Sequence, residues 1–236
     1  MMSPVDQVLL KKALKVPFDK FHKALTRVDF FINQAEKSGQ ANKIESFTVN
    51  PTILSDKTGL KHIVYTEDDQ NKMKGYFFSH AAIVFLVSSF DIYLKELLTV
   101  FHQKEFNQLL FSRKPDEIKR ANFPTLKNLF KNCLDVNIYS TIKEQKITEL
   151  IEIRNNIIHR GGYLETKNRH KFQLHPATKD GSILFLTVTA LEKKTHLVVD
   201  VVNYIEEAIY NKYSIGGVPP RVETYKDLED FKKKHT

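Results

Sequence analysis

Phe77-Phe78-Ser79-His80-Ala81-Ala82-Ile83-Val84-Phe85-Leu86-Val87-Ser88-Ser89-Phe90-Asp91-Ile92-Tyr93-Leu94-Lys95-Glu96-Leu97-Leu98 is apolar on nearly every face of a helical wheel. A helix without a broad polar side has to be wrapped by other elements. The stretch therefore predicts the central helix of a mainly α fold, capped at Asp68 or Asp69 and running to about Phe101. Its longest uncharged apolar run, Ala81 to Phe90, is shorter than the ~20 residues a bilayer crossing needs. Asp91, Lys95 and Glu96 then follow on the same helix, so the expected setting is a protein core and not a membrane.

Upstream, Leu9, Leu10, Leu14, Phe18, Phe21, Leu25, Val28 and Ile32 recur at helical spacing, predicting a helix from Val5 to Glu36. Pro17 marks a kink or break in it, and Ser38-Gly39 ends it. Residues 40–68 read as irregular or extended, with turn signals at Asn50-Pro51 and Thr58-Gly59. Downstream, a short helical piece is expected over Glu105 to Phe111, and a helix from Pro124 to Cys133. A further helix over Thr141 to His159 is stopped by Gly161-Gly162. The period then changes to two: Lys171 to His175 and Ile183 to Leu186 read as strands of a hairpin around Asp180-Gly181. A last helix is expected from Thr189 to Tyr213, and Gly216-Gly217 with Pro219-Pro220 closes the compact part.

The expected organisation is thus an N-terminal helix and extended arm over 1–66, packed on a helical bundle over 67–215, with a charged tail over 216–236. The bundle carries the small inserted β-hairpin. Strands and helices do not alternate, which argues against a nucleotide-binding parallel sheet. A phosphate-binding glycine loop is missing as well.

The chain has 236 residues, 42% of them hydrophobic, enough for a substantial core. Its formal net charge of +8 and pI near 9.3 favour a polyanionic partner. Cys133 is the one cysteine, so an intramolecular disulfide is impossible and a reducing compartment is expected. The opening MMSPVDQVLLKKALK places charges inside its apolar stretch, unlike a secretory signal. The expected location is the cytoplasm.

The residues with most chemistry are Arg154-Asn155-Asn156-Ile157-Ile158-His159, followed by Arg160-Gly161-Gly162. At ~100° per residue, Leu150, Ile151, Ile153, Ile157 and Ile158 share one broad face. Arg154 falls inside that face, while His159 lies opposite, near Asn155 and Glu152. A guanidinium aimed at apolar surface is costly unless it is paired. Asp91, on the apolar central helix, is a candidate partner that would lock two helices together. A local pair between Asp91 and Lys95 is equally open. His159 sits in the last turn, where cations are favoured. Histidine exchanges protons near neutral pH, so it can act as acid or base there. It can also simply cap helix carbonyls.

Arg154, the polar Asn155 beside it and His159 near a helix end together resemble the signature of the HEPN superfamily. Ser88-Ser89-Phe90-Asp91-Ile92-Tyr93-Leu94 resembles the acidic segment of many such domains. The resemblance covers roughly residues 70–213 as an arrangement of helices. It implies a helical bundle that forms a homodimer, with two motif helices meeting in one composite cleft for RNA. It further implies an endoribonuclease that needs neither metal nor cofactor. The ribose 2′-hydroxyl would attack the adjacent phosphorus and leave a cyclic phosphate. His159 would move the proton, Arg154 would stabilise the phosphorane oxygens, and Asn155 would orient either group. A toxin or antiviral defence effector is the expected biological class, with an antitoxin or regulatory protein as a possible further partner. The alternative is a non-catalytic RNA-binding or protein-interaction module of the same fold. Relatives modified by a partner nucleotidyltransferase carry a tyrosine two positions after the histidine. Here that position is Gly161 and the nearest tyrosine is Tyr163, which argues against that particular system.

The run Lys167-Asn168-Arg169-His170-Lys171 follows the motif. Arg160, Lys167, Arg169 and Lys171 are candidate phosphate contacts beside it, or else a solvated surface. His159, His170 and His175 fit no familiar zinc spacing, so a metal site is not expected. Phe77, Phe78, Phe85, Phe90 and Tyr93 read as core instead of base-stacking platforms. Ser88 and Ser89 lack the setting of a nucleophile, since helix-interior serines usually bond back to the carbonyl ladder.

Overall fold

The apolar periodicities resolve into long helices. The computed structural model describes residues 4–38, 52–55, 57–59, 61–64, 66–101, 115–138, 141–162, 184 and 186–222. Among these, the order is α1 (Pro4–Lys37), β1 (Thr52–Ser55), β2 (Lys61–Val64), α2 (Glu67–Val100), α3 (Pro115–Arg120), α4 (Phe123–Leu134), α5 (Thr141–Arg160) and α6 (Val188–Lys212). The protein is mainly α, as its sequence predicts. Helix α1 continues through Pro17 without interruption.

Strands β1 and β2 pair antiparallel, from Thr52 opposite Val64 to Ser55 opposite Lys61. Gly59 in their connection has φ +80°, a conformation glycine adopts without a Cβ penalty. This hairpin falls where the sequence reads as irregular or extended. Two four-residue strands are too short for a clear alternation to emerge. The hairpin expected at Lys171–His175 and Ile183–Leu186 lies largely outside the described residues. Leu184 and Leu186, which are described, are not in a strand. The helical piece expected over Glu105–Phe111 also lies outside them. Helix α3 is an addition, with Asp116 and Glu117 in its first turn and Lys119 and Arg120 in its last, each matched to the helix dipole.

The chain divides into two compact units, and α1, α2, α5 and α6 contribute residues to both. The first unit combines residues 1–23, 89–144 and 195–236. Leu10, Leu14, Phe18 and Phe21 of α1 are buried in it, as are Phe90, Tyr93, Leu94, Leu97 and Leu98 of α2. Phe21 meets Tyr93 with ring centroids 5.6 Å apart, and Phe101 meets Tyr213 at 5.2 Å. Asn122 caps α4 by accepting from the Thr125 N–H at 3.0 Å, with a proline in the first turn.

The compact part of this unit reaches further than the Gly216–Pro220 stop predicted. Val222 is buried, and the Asn203 amide bonds both its N–H and its carbonyl, each at 2.9 Å. Lys11 of α1 donates to the Gly216 carbonyl at 2.7 Å.

The second unit combines residues 24–88 and 145–194. Its interior includes Leu25, Val28 and Ile32 of α1, Ala82, Ile83 and Leu86 of α2, and Ile147, Leu150 and Ile153 of α5. Lys194 of α6 donates to Glu149 of α5 at 3.2 Å. Phe77 and Phe85, expected in the core, remain 66% and 36% exposed. They join a surface ring cluster instead: Phe31 lies 5.2 Å from Phe85 and 6.3 Å from Phe78, and Phe77 lies 5.8 Å from Phe78.

Over Met73–Val100, α2 is long and apolar enough to cross a membrane by length and composition. The core helix of a water-soluble protein passes the same test, and eleven apolar α2 side chains from Tyr76 to Val100 are buried within this protein.

A carboxylate interrupts the first unit's apolar interior. Glu206 of α6 is fully buried and accepts from the Tyr93 hydroxyl at 2.7 Å, while its other oxygen has no hydrogen-bond partner among the described residues. Burial pushes its carboxyl from 4.5 up to about 7, against the opposing effect of the Tyr93 hydrogen bond. Burial and the Glu206 charge push the Tyr93 phenol well above its ordinary value. Because the folded value is raised, the fold favours protonated Glu206. That contribution is complete below pH 4.5 and is lost as pH rises through about 7. The loss amounts to roughly 3 kcal/mol on the alkaline side. Stability from chemical denaturation should fall between pH 5 and pH 8 in the native protein. In Glu206→Gln this slope should largely vanish; an unchanged slope would contradict the assignment.

Candidate active site

Helix α5 carries the Arg154, Asn155 and His159 constellation in its last two turns, and two glycines end it. Gly161 and Gly162 have φ +61° and +81°. The Gly162 N–H reaches back to the Asn156 carbonyl at 3.3 Å. Left-handed backbone at both positions turns the chain away immediately after Arg160. His159 and Arg160 are thereby left exposed at a defined helix end.

Arg154 is partly buried, as its place on the apolar face predicts. Its Nε is enclosed without a hydrogen-bond partner among the described residues. Its Nη1 donates to the Asn155 Oδ1 at 3.0 Å, which joins two of the three motif side chains. Asp91 falls in the first unit and accepts from Lys95 at 2.7 Å, the local pair that its spacing offered. Lys167, Arg169 and Lys171 lie outside the described residues. The structure thus brings Arg154 and Asn155 into contact and places His159 and Arg160 beyond them on the same helix.

The buried side of α5 differs from the wheel at its end. Ile158 is 49% exposed, whereas Asn156 is 5% exposed. The stop explains part of this. The chain leaves the helix at Gly161, so the last turn has no following turn to extend its apolar stripe.

A second group of polar side chains supports this end of α5. The Leu184 N–H donates to the Gly162 carbonyl at 2.7 Å. The Leu184 carbonyl accepts from the Tyr76 hydroxyl and bonds His80 Nε2, each at 2.8 Å. Ser79 donates to the Leu186 carbonyl at 3.0 Å. A carbonyl oxygen only accepts, so His80 Nε2 carries the hydrogen. Burial holds the His80 pKa below the ordinary 6.5, partly offset by that hydrogen bond. The Tyr76 and His80 rings lie edge to face with centroids 4.6 Å apart.

Sequence reading overlooks this trio because the apolar character of α2 dominates the stretch. A signal is nevertheless present. Tyr76, Ser79 and His80 follow the i, i+3, i+4 spacing of one helix face. Polar groups on a buried face require partners, here the carbonyls of Leu184 and Leu186.

Among the described residues, no three His, Cys, Asp or Glu side chains gather as a metal site. Comparison with protein-family models, curated proteins and solved structures finds no match to this chain.

Substituting Gly161 by alanine forces a Cβ into the left-handed region at the residue that stops α5. The expected loss is about 1 kcal/mol, with a smaller loss for Gly161→Asn. Thermal unfolding monitored by circular dichroism measures both. Equal stability of Gly161→Ala and the parent protein would contradict the helix stop described.

Proposed function

We propose that the end of α5 is the catalytic centre of a metal-independent endoribonuclease of HEPN type, working as a homodimer in toxin or antiviral defence. The observation that carries this reading is the placement of the motif. Arg154 and Asn155 are bonded to each other, and His159 with Arg160 stands exposed at the glycine-terminated end of the same helix. A cationic group and a proton carrier thus lie within the last two turns of one helix, in a chain with net charge +8.

In this reading an RNA phosphate lies at the helix end. His159 takes the proton from the ribose 2′-hydroxyl as that oxygen bonds to phosphorus. The bond from phosphorus to the 5′-oxygen breaks, and a protonated imidazole returns a proton to the leaving oxygen. The products are a 2′,3′-cyclic phosphate and a 5′-hydroxyl. Arg154 stabilises the charge that builds on the phosphorane oxygens, and Asn155 fixes the direction of its guanidinium. Arg160 binds a neighbouring phosphate, as Lys167, Arg169 and Lys171 do by sequence proximity. An exposed histidine suits a cleft completed by a second copy, in which two imidazoles serve as base and acid.

The test is cleavage of RNA by purified protein in excess EDTA. The native protein should cut, while His159→Ala should lose on the order of a hundredfold or more in rate and keep its fold. Arg154→Lys, which retains charge but loses the planar fork, should lose on the order of tenfold. A folded His159→Ala protein that cuts at the native rate removes His159 from the mechanism. RNA bound and left intact by the native protein would favour a non-catalytic interaction module.

A further inference from the structure

We propose that Tyr76 and His80 of α2 are positioning residues for the end of α5, acting through the main chain of Leu184 on the turn that follows His159 and Arg160. The catalytic consequence rests on the function proposed above, while the structural coupling stands independently of it.

A continuous path of hydrogen bonds runs through the second unit. Tyr76 and His80 both direct hydrogens at one oxygen, the Leu184 carbonyl. Two donors on two lone pairs fix that peptide group in orientation as well as place. Its residue's own N–H meets the Gly162 carbonyl at 2.7 Å. Gly162 in turn reaches the Asn156 carbonyl, and Asn156 lies between the Arg154–Asn155 pair and His159. Gly161 and Gly162 have no side chain with which to hold themselves. Their left-handed backbone leaves the turn dependent on outside hydrogen bonds.

The clamp is itself rigid. Tyr76 is 7% exposed and Leu184 2% exposed, so water does not compete freely for these groups. Burial keeps His80 toward its neutral form, and with Nε2–H directed at the carbonyl, its tautomer is set. Ser79 holds the Leu186 carbonyl two residues on, so the returning chain is gripped twice by the same helix face. The proposed chemistry requires such support, because ~1 Å of misplacement in a catalytic group costs on the order of a hundredfold in rate.

The experiment compares Tyr76→Phe, His80→Gln and the double variant Tyr76→Phe/His80→Ala with the native protein. Phenylalanine keeps the ring and removes the hydroxyl; glutamine retains an N–H in place of Nε2. Amide hydrogen exchange at Leu184 and the NMR resonances of the His159 ring are recorded on each folded protein, beside RNA cleavage kinetics. In the double variant the Leu184 amide should exchange roughly tenfold faster or more, with displaced His159 resonances. Its kcat should fall on the order of tenfold or more, with KM moving less than threefold. His80→Gln, by retaining a donor, should recover much of each effect.

A folded double variant whose Leu184 exchange and His159 resonances match the native protein overturns the proposal, whatever the kinetics. Altered exchange and resonances in a protein that never cleaves RNA support the positioning role and count against the nuclease reading alone. Should the double variant not fold, Tyr76→Phe decides the matter by the same two spectroscopic readouts.

Discussion

Helix α2 has apolar side chains around most of its circumference, and its need for cover organises both compact units. In the first unit it is met by the apolar stripe of α1, where Phe21 contacts Tyr93. In the second, α1 reaches it again through Phe31 against Phe78 and Phe85. The long N-terminal helix therefore contributes buried residues to both units. The cover is incomplete on one side, where Phe77 stays largely exposed.

The polar groups that α2 buries are hydrogen-bonded to parts of the chain outside it. Tyr93 donates to Glu206, an arrangement that favours the protonated acid and links stability to pH. Tyr76, Ser79 and His80 bind the carbonyls of Leu184 and Leu186. In the second unit the Leu184 N–H meets the Gly162 carbonyl, two residues past the end of α5.

Much of the helical framework is legible in the sequence because long amphipathic and apolar periods average over many residues. α1, α2, α5 and α6 begin and end within a few residues of where spacing, caps and glycines place them. Short elements lack that averaging, which is why α3 and the β1–β2 hairpin are not evident beforehand. At the candidate site, the semi-burial of Arg154 and the exposure of His159 both follow from the wheel. The burial of Asn156 does not, nor does the hydrogen bond of His80, whose partner Leu184 is distant in sequence. Asp91 offers either a pair with Arg154 on another helix or one with Lys95 four residues on, and the Lys95 contact forms. Glu206 shows the same limit: nothing adjacent to it signals a buried acid, because its partner Tyr93 lies over a hundred residues away.

In the proposed reaction Arg154 stabilises the phosphate under attack, His159 moves the proton, and the RNA itself supplies the attacking oxygen. Mass spectrometry of the RNA ends produced by the native protein in EDTA addresses it directly. The expected termini are a 2′,3′-cyclic phosphate on one fragment and a 5′-hydroxyl on the other. Fragments ending in a 3′-hydroxyl with a 5′-phosphate, or RNA left intact, would contradict it.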